Sequence, residues 1–361
     1  MTINSKAAFF KTVFGVLFVL TFFSCSNGKK WYTNFDEASA KAKKSGKNIF
    51  LLFSGDDWDN TSAGFKADVL QTDEFAKEIG KKYVLLNLDF SQDEYAKTEV
   101  EENATEEEKT AAQEIATRYQ EKEKLVLEYH VQQYPAVFIT TPEGYYIDSI
   151  NYDASFTDFP KFYEKFKDHQ GLIDKANGFM QAIKKAKGKD KVLAIDAFYE
   201  STPVDYQPLL VPMFKEVPSL DEENETGLLG KYELAQAYIQ SFEIANEGNV
   251  DGAVSVITSV ADNPALHLDK DQKQMAYYTG AYILSLSGSH DFNKVLDLLQ
   301  KAYDASPNGI HAKDVQSAKG YTENLIRIMD EYSSEEGEGT DESEDENESE
   351  SETDGQPTQE N

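Results

Sequence analysis

Asp59 and Ser62 enclose Asn60 and Thr61 just after a polar turn, Ser54-Gly55-Asp56-Asp57-Trp58, which itself follows an apolar run at 48–53. Two kinds of chemistry fit these residue types. Asp56, Asp57 and Asp59 could form a carboxylate cluster for acid–base work or cation binding. The same acids, with Asn60, Thr61 and Ser62, also suit a helix N-terminus, where orphan backbone amides and the positive end of the dipole favour them. Capping is the simpler account. Elsewhere the residues offer little reactivity. His130, His169, His267, His290 and His311 are scattered with no pair at zinc-ligand spacing. There is no glycine-rich phosphate loop and no nucleophile elbow, so neither a metal nor a cofactor is expected.

The elements that must hold this turn are legible around it. The run at 48–53 is β-rich, and the segment after the turn carries Phe65, Val69, Leu70, Phe75 and Ile79 at helical spacing, with a break at Thr72-Asp73-Glu74. A second strand follows at 83–90. Two apolar strands flanking a helical segment make a βαβ unit with parallel pairing. Upstream, Phe35, Ala38 and Ala42 define a first helix, with Asn34 or Asp36 placed to cap it and Gly46 to stop it.

Phe53, Ser54, Gly55, Asp57 and Trp58 fill the non-cysteine places of the pattern Phe-Ser/Thr-Gly-x-Asp-Trp-Cys-x-x-Cys, and the chain here resembles exported bacterial thioredoxin-like proteins. Asp59 and Ser62 stand where the two cysteines would be. Thiol–disulfide exchange needs a thiolate nucleophile and a resolving thiol, which neither residue supplies. Alignment on Phe53 puts Leu52 where the family has a buried acid. The resemblance implies that Pro135, before a strand at 136–139, is the family's cis-proline facing the motif. A trans proline simply starting a strand is the alternative reading of the residues. It also implies that Tyr134, Pro135 and Trp58 edge a surface able to contact extended peptide.

Residues 91–128 carry twelve acidic and five basic side chains and read as an acidic insertion, a charged loop feeding an amphipathic helix, whose charges mainly solvate a face. Pro142-Glu143-Gly144 separates two β-type runs as a hairpin turn, and Phe159, Phe162 and Phe166 stripe a closing helix. The expected fold class is therefore an α/β thioredoxin-like domain over 31–169, followed over 170–332 by an all-α domain. In that domain the stretches from Val250 and Phe292 align at a spacing of roughly 42 residues, compatible with a tetratricopeptide-like stack or an irregular bundle. Ala235, Tyr238, Ala276 and Tyr282 suit close helix packing there. Residues 333–361 hold thirteen acidic and no basic side chains and are expected to be disordered.

Lys6 and Lys11 precede an uncharged apolar run at 13–23 that ends at Ser24-Cys25, which resembles a lipoprotein signal peptide of spirochaetal type over 1–24, with a linker over 25–30. An ordinary membrane anchor, or a cleaved signal with an incidental cysteine, is the alternative. Cys25 is the only cysteine of the 361 residues, so no intramolecular disulfide can form, and acylation of Cys25 would leave no thiol. The net charge of −30 argues against nucleic-acid binding and favours basic partners. These observations lead to an expected cell-envelope module, lipid-anchored and facing the periplasm or cell exterior, that binds a protein or peptide partner without redox catalysis. A thiol–disulfide oxidoreductase or isomerase, and a surface-exposed ligand-binding lipoprotein, are the competing expectations.

Overall fold

The computed structural model describes residues 30–288 and 291–338. The expected signal peptide at 1–24, Cys25 and the linker as far as residue 29, His290, and the acidic tail beyond residue 338 lie outside the described residues. The chain divides into two compact units after Lys175. That boundary lies within a helix, Gln170–Lys185, rather than at the expected residue 169. Among the described residues no helix is long and apolar enough to cross a membrane.

The first unit is built on a five-stranded sheet: β1 (Trp31–Tyr32), β2 (Ile49–Ser54), β3 (Val84–Asp89), β4 (Ala136–Thr140) and β5 (Tyr146–Asn151), in the order β1-β3-β2-β4-β5. β1 and β2 run parallel to β3, whereas β2–β4 and β4–β5 pair antiparallel. β2 lies inside the sheet with all six residues buried, which explains its unbroken apolar run. Side chains alternate faces along a strand, so Phe50 and Phe53 serve opposite layers. Phe50 meets Phe75, Phe162 and Phe166, while Phe53 meets Tyr129 and Phe138. The register pairs Ser54 with Asp89 and Phe53 with Ala136. It therefore gathers the ends of β2 and β3 and the start of β4 at one edge.

Helix α1 (Phe35–Ser45) is capped by Asn34, which accepts the Glu37 amide, and stopped by Gly46 at φ 65°. Helix α2 (Asn60–Phe65) runs into a π-helical turn, Lys66–Leu70, before the Thr72 side chain caps α3 (Asp73–Glu78), which is the expected break. A short helix α4 (Gln92–Tyr95) precedes α5 (Glu106–Glu128), opened by a Thr105/Glu108 capping box. Helix α5 is the amphipathic helix expected within 91–128, and apart from Lys122 its charged side chains are exposed or half-buried. It is the helical connection between β3 and β4, and it buries Ala112, Tyr119 and Lys122. Helix α6 (Phe159–Asp168) buries its phenylalanine stripe, with Asp158 as its cap and Pro160 in the first turn.

In the second unit, from Ala176 on, α7 (Gln170–Lys185) ends and α8 (Gly188–Ser201), α9 (Val211–Phe214), α10 (Val217–Leu220), α11 (Leu229–Asn246), α12 (Val250–Asp262), α13 (Lys270–Leu286), α14 (Phe292–Ala305) and α15 (Ala312–Glu338) follow. Each of α11 to α14 packs on the next helix in sequence. The buried Ala253, Ile257 and Val260 of α12 recur, at the spacing seen in the sequence, as the buried Val295, Leu299 and Ala302 of α14. Packing thus repeats between the two helix pairs. Ala276 is buried as expected, whereas Tyr238 and Tyr282 are exposed and each meets Phe242. Helix α15 continues through Glu338, past the composition change at Ser333.

Candidate functional site

The polar turn sits where β2, β3 and β4 converge. Asp59 is the N-cap of α2, with extended backbone at φ −104° and ψ 105°. Its carboxylate accepts the Thr61 amide at 3.3 Å, the Ser62 amide at 2.8 Å and the Ser62 hydroxyl at 2.6 Å. The Ser62 oxygen, on a residue only 1 % exposed, accepts the Gly55 N–H at 3.2 Å, while the Asp59 N–H donates to the Gly55 carbonyl at 2.7 Å. Gly55, Ser62 and Asp59 therefore close a ring of hydrogen bonds across the two positions that the resembling pattern gives to cysteine. Burial opposes ionisation of Asp59, but the hydroxyl and amide donors outweigh it and hold the carboxyl below the usual carboxylate range. Such a carboxylate is a weak base toward the Ser62 hydroxyl that it holds. Asn60 is exposed at the first turn of α2.

Asp57 turns away from this ring and caps α4, accepting the Ser91 hydroxyl at 2.6 Å and the Gln92 and Asp93 amides at 3.0 and 2.9 Å. Slight burial works against its charge, yet these three donors lower its carboxyl too. Asp56 forms an ion pair with Lys66, and its amide donates to Asp89 at 3.0 Å. The three acids of the turn thus diverge to three different partners. Among the described residues no group of three or more His, Cys, Asp or Glu side chains is placed to hold a metal ion.

Trp58 is 43 % exposed, donates its indole N–H to the Phe90 carbonyl at 2.6 Å, and meets Tyr134 edge-on at 5.6 Å. Gly55 makes room for it, since a β-carbon there would come within 2.3 Å of the indole ring. The Tyr134–Pro135 bond is cis, with Pro135 buried and Tyr134 half-buried. Trp58, Tyr134 and Pro135 therefore come together at one edge, beside the Asp59–Ser62 ring.

Three residues that sequence reasoning did not single out complete the site. Asp89 ends β3, and its carboxylate accepts from Asp56 N–H and, at 3.3 Å, from the Ser54 hydroxyl. Burial pushes its carboxyl up, and the neighbouring Asp56 charge adds to that push. A half-buried acid thus lies behind the turn on the adjacent strand, whereas Leu52 pairs with Asn87. Tyr119 and Lys122 reach in from α5. The tyrosine hydroxyl donates to the Ser91 carbonyl, and the Lys122 ammonium binds the Asp89 carbonyl at 2.7 Å and Glu94 at 3.2 Å. Their spacing of three on an amphipathic helix was the available signal.

Residues 30–142 match a family described as thioredoxin-like, and residues 228–325 match one described as an uncharacterised protein C-terminal domain. The chain carries an N-terminal thioredoxin-like α/β domain followed by a mostly helical region. An uncharacterised protein of Treponema pallidum (strain Nichols) is 29 % identical over 144 residues, 40 % of this chain and 46 % of that protein. The thioredoxin-related protein DsbJ of Chlamydia pneumoniae is 28 % identical over 60 residues, 17 % of each chain. The chain thus spans less than half the length of these relatives. A solved structure titled DsbH oxidoreductase is 21 % identical, covering 40 % of this chain and 86 % of that one, at a TM-score of 0.31.

Proposed function

We propose that this protein is a redox-inactive thioredoxin-fold module of the bacterial cell envelope, anchored through a lipid on Cys25, that binds a protein or peptide partner in a scaffolding or chaperone-like role. The observation that carries the reading is the hydrogen-bonded Asp59–Ser62 pair. It occupies both positions at which thiol chemistry would occur, in a chain whose single cysteine is Cys25. Around that pair the peptide-facing furniture is kept, with Trp58 exposed and Tyr134–Pro135 beside it. Extended peptide held there would be bound through backbone hydrogen bonds and ring contacts, which need no thiol. The apolar run before Cys25 and the resemblance to envelope thioredoxin-like proteins support the location. Insulin reduction with dithiothreitol tests the catalytic half. The wild-type chain is expected to give no turnover above the buffer control, whereas Asp59→Cys/Ser62→Cys restores the thiol spacing and should raise it. Turnover by the wild-type chain overturns the reading.

A further inference from the structure

The rings of the peptide-facing edge do not stop at Tyr134. Tyr134 meets Phe90 at 5.6 Å, Phe90 meets Tyr119 at 6.1 Å, and Tyr119 meets Tyr95 of α4 at 5.2 Å. Trp58 and Tyr95, the two ends of this path, are 43 % and 52 % exposed, Phe90 and Tyr134 are half-buried between them, and Tyr119 lies beneath. The path is no longer than roughly 22 Å, six or seven residues of extended chain at about 3.3 Å each.

Its charge is one-sided. Asp57, Asp59 and Glu94 lie along the path with their carboxylates already bonded, the first two to amides and hydroxyls and Glu94 to Arg118 and Lys122. Asp93 beside Tyr95, and Glu123, which acts on Tyr134, are exposed. Arg118 and Lys122 are already engaged, both binding Glu94. Lys122 also lies over the Tyr119 ring at 4.4 Å, which shows that an ammonium group fits these faces.

We propose that the aromatic path from Trp58 to Tyr95 receives an extended segment of a partner protein rich in lysine and arginine, its cations alternating between ring faces and the flanking carboxylates. The proposal rests on the peptide-binding reading above and adds the partner's chemistry and a second contact half, α4. Asp57 joins the halves, because its carboxylate fixes α4 beside the motif turn.

Fluorescence anisotropy with the full-length chain tests it, using the labelled peptide Gly-Lys-Leu-Arg-Gly-Lys-Leu-Arg and two counterparts with glutamine or glutamate in place of the four cations. The basic peptide should bind more tightly than the neutral one, and the acidic one least. Trp58→Ala and Tyr95→Ala should each weaken the basic peptide by about fivefold, the scale of one exposed cation–π contact. Both variants keep every charge, so attraction by the acidic tail alone would leave binding undiminished, an outcome that overturns the proposal. Asp93→Asn/Glu123→Gln keeps every ring and should weaken the basic peptide while sparing the neutral one. If basic and neutral peptides bind alike, with Trp58→Ala weakening both and Tyr95→Ala neither, the partner chemistry falls and the peptide-binding reading stands. If no peptide binds, both fall.

Discussion

Replacing Asp59 by alanine should unfasten the motif turn, at a cost that follows from its bonds. The substitution removes the N-cap of α2, typically worth about 1 kcal/mol. It also takes the acceptor from the Ser62 hydroxyl, and a buried donor left without a partner costs about 1–3 kcal/mol. Together these give a loss of roughly 2–4 kcal/mol at neutral pH, against less than about 1 kcal/mol for Asp59→Asn, which retains an acceptor oxygen. Both tryptophans, Trp31 and Trp58, lie in the first unit, so urea unfolding followed by tryptophan fluorescence reads that unit by itself. Because the carboxyl is depressed in the folded chain, its contribution is fully present above the unfolded value near about 3.9 and is lost as pH falls through the folded value. Wild type and Asp59→Ala should accordingly converge in strong acid. Ser62→Ala removes the other end of the same bond, so the double variant should cost clearly less than the two single losses added. A loss below about 0.5 kcal/mol, or full additivity, would refute the closed-ring account.

Gly55→Ala should force its β-carbon into the indole and release Trp58 from the Phe90 carbonyl, giving a red-shifted, more quenchable emission; an unshifted spectrum would contradict the close approach. Lys122→Ala should destabilise the first unit by several times more than Lys124→Ala, since the Lys122 side chain is 9 % exposed and that of Lys124 is 76 % exposed, and urea midpoints for equal effects would count against the Asp89–Lys122–Glu94 contact. Asp89→Asn should stabilise the chain at neutral pH. The raised carboxyl of Asp89 disfavours its charged form in the folded state, so the gain should shrink as pH falls toward the unfolded carboxylate value, and a pH-independent gain would point to another cause.

What the sequence showed and what it hid divide along the distance between partners. The caps Asn34, Asp59 and Thr72 bond amides two or three residues away, and the β2-turn-α2 unit and the 142–144 hairpin are likewise local. The two-residue strand Trp31–Tyr32 is fixed by distant partners, pairing with its parallel neighbour β3 and packing Trp31 on Phe50 and Phe75, and it is too short for any periodicity to announce it. Helix α5 is legible as an amphipathic helix, but its inward lysine is not, because a buried lysine looks like a solvated one until the Asp89 carbonyl and Glu94 are seen beside it. Asp57 was read as a cap of its own helix. It instead caps α4, 34 to 36 residues on, which only the parallel register of β2 and β3 makes possible.

The ring through Gly55, Ser62 and Asp59 gives the turn a fastening that electrons cannot open. In a thiol-bearing turn the two helix-end residues are joined or parted according to the redox poise of the compartment, and the shape offered to a partner changes with that state. Here the pinch is a carboxylate holding a hydroxyl, so thiol–disulfide exchange cannot open it, whereas protonation of the carboxylate weakens it. Under the peptide-binding reading proposed above, a turn fastened in this way would keep one backbone shape in an oxidising or a reducing space, and the occupancy of its edge would follow the amount of partner rather than the redox poise.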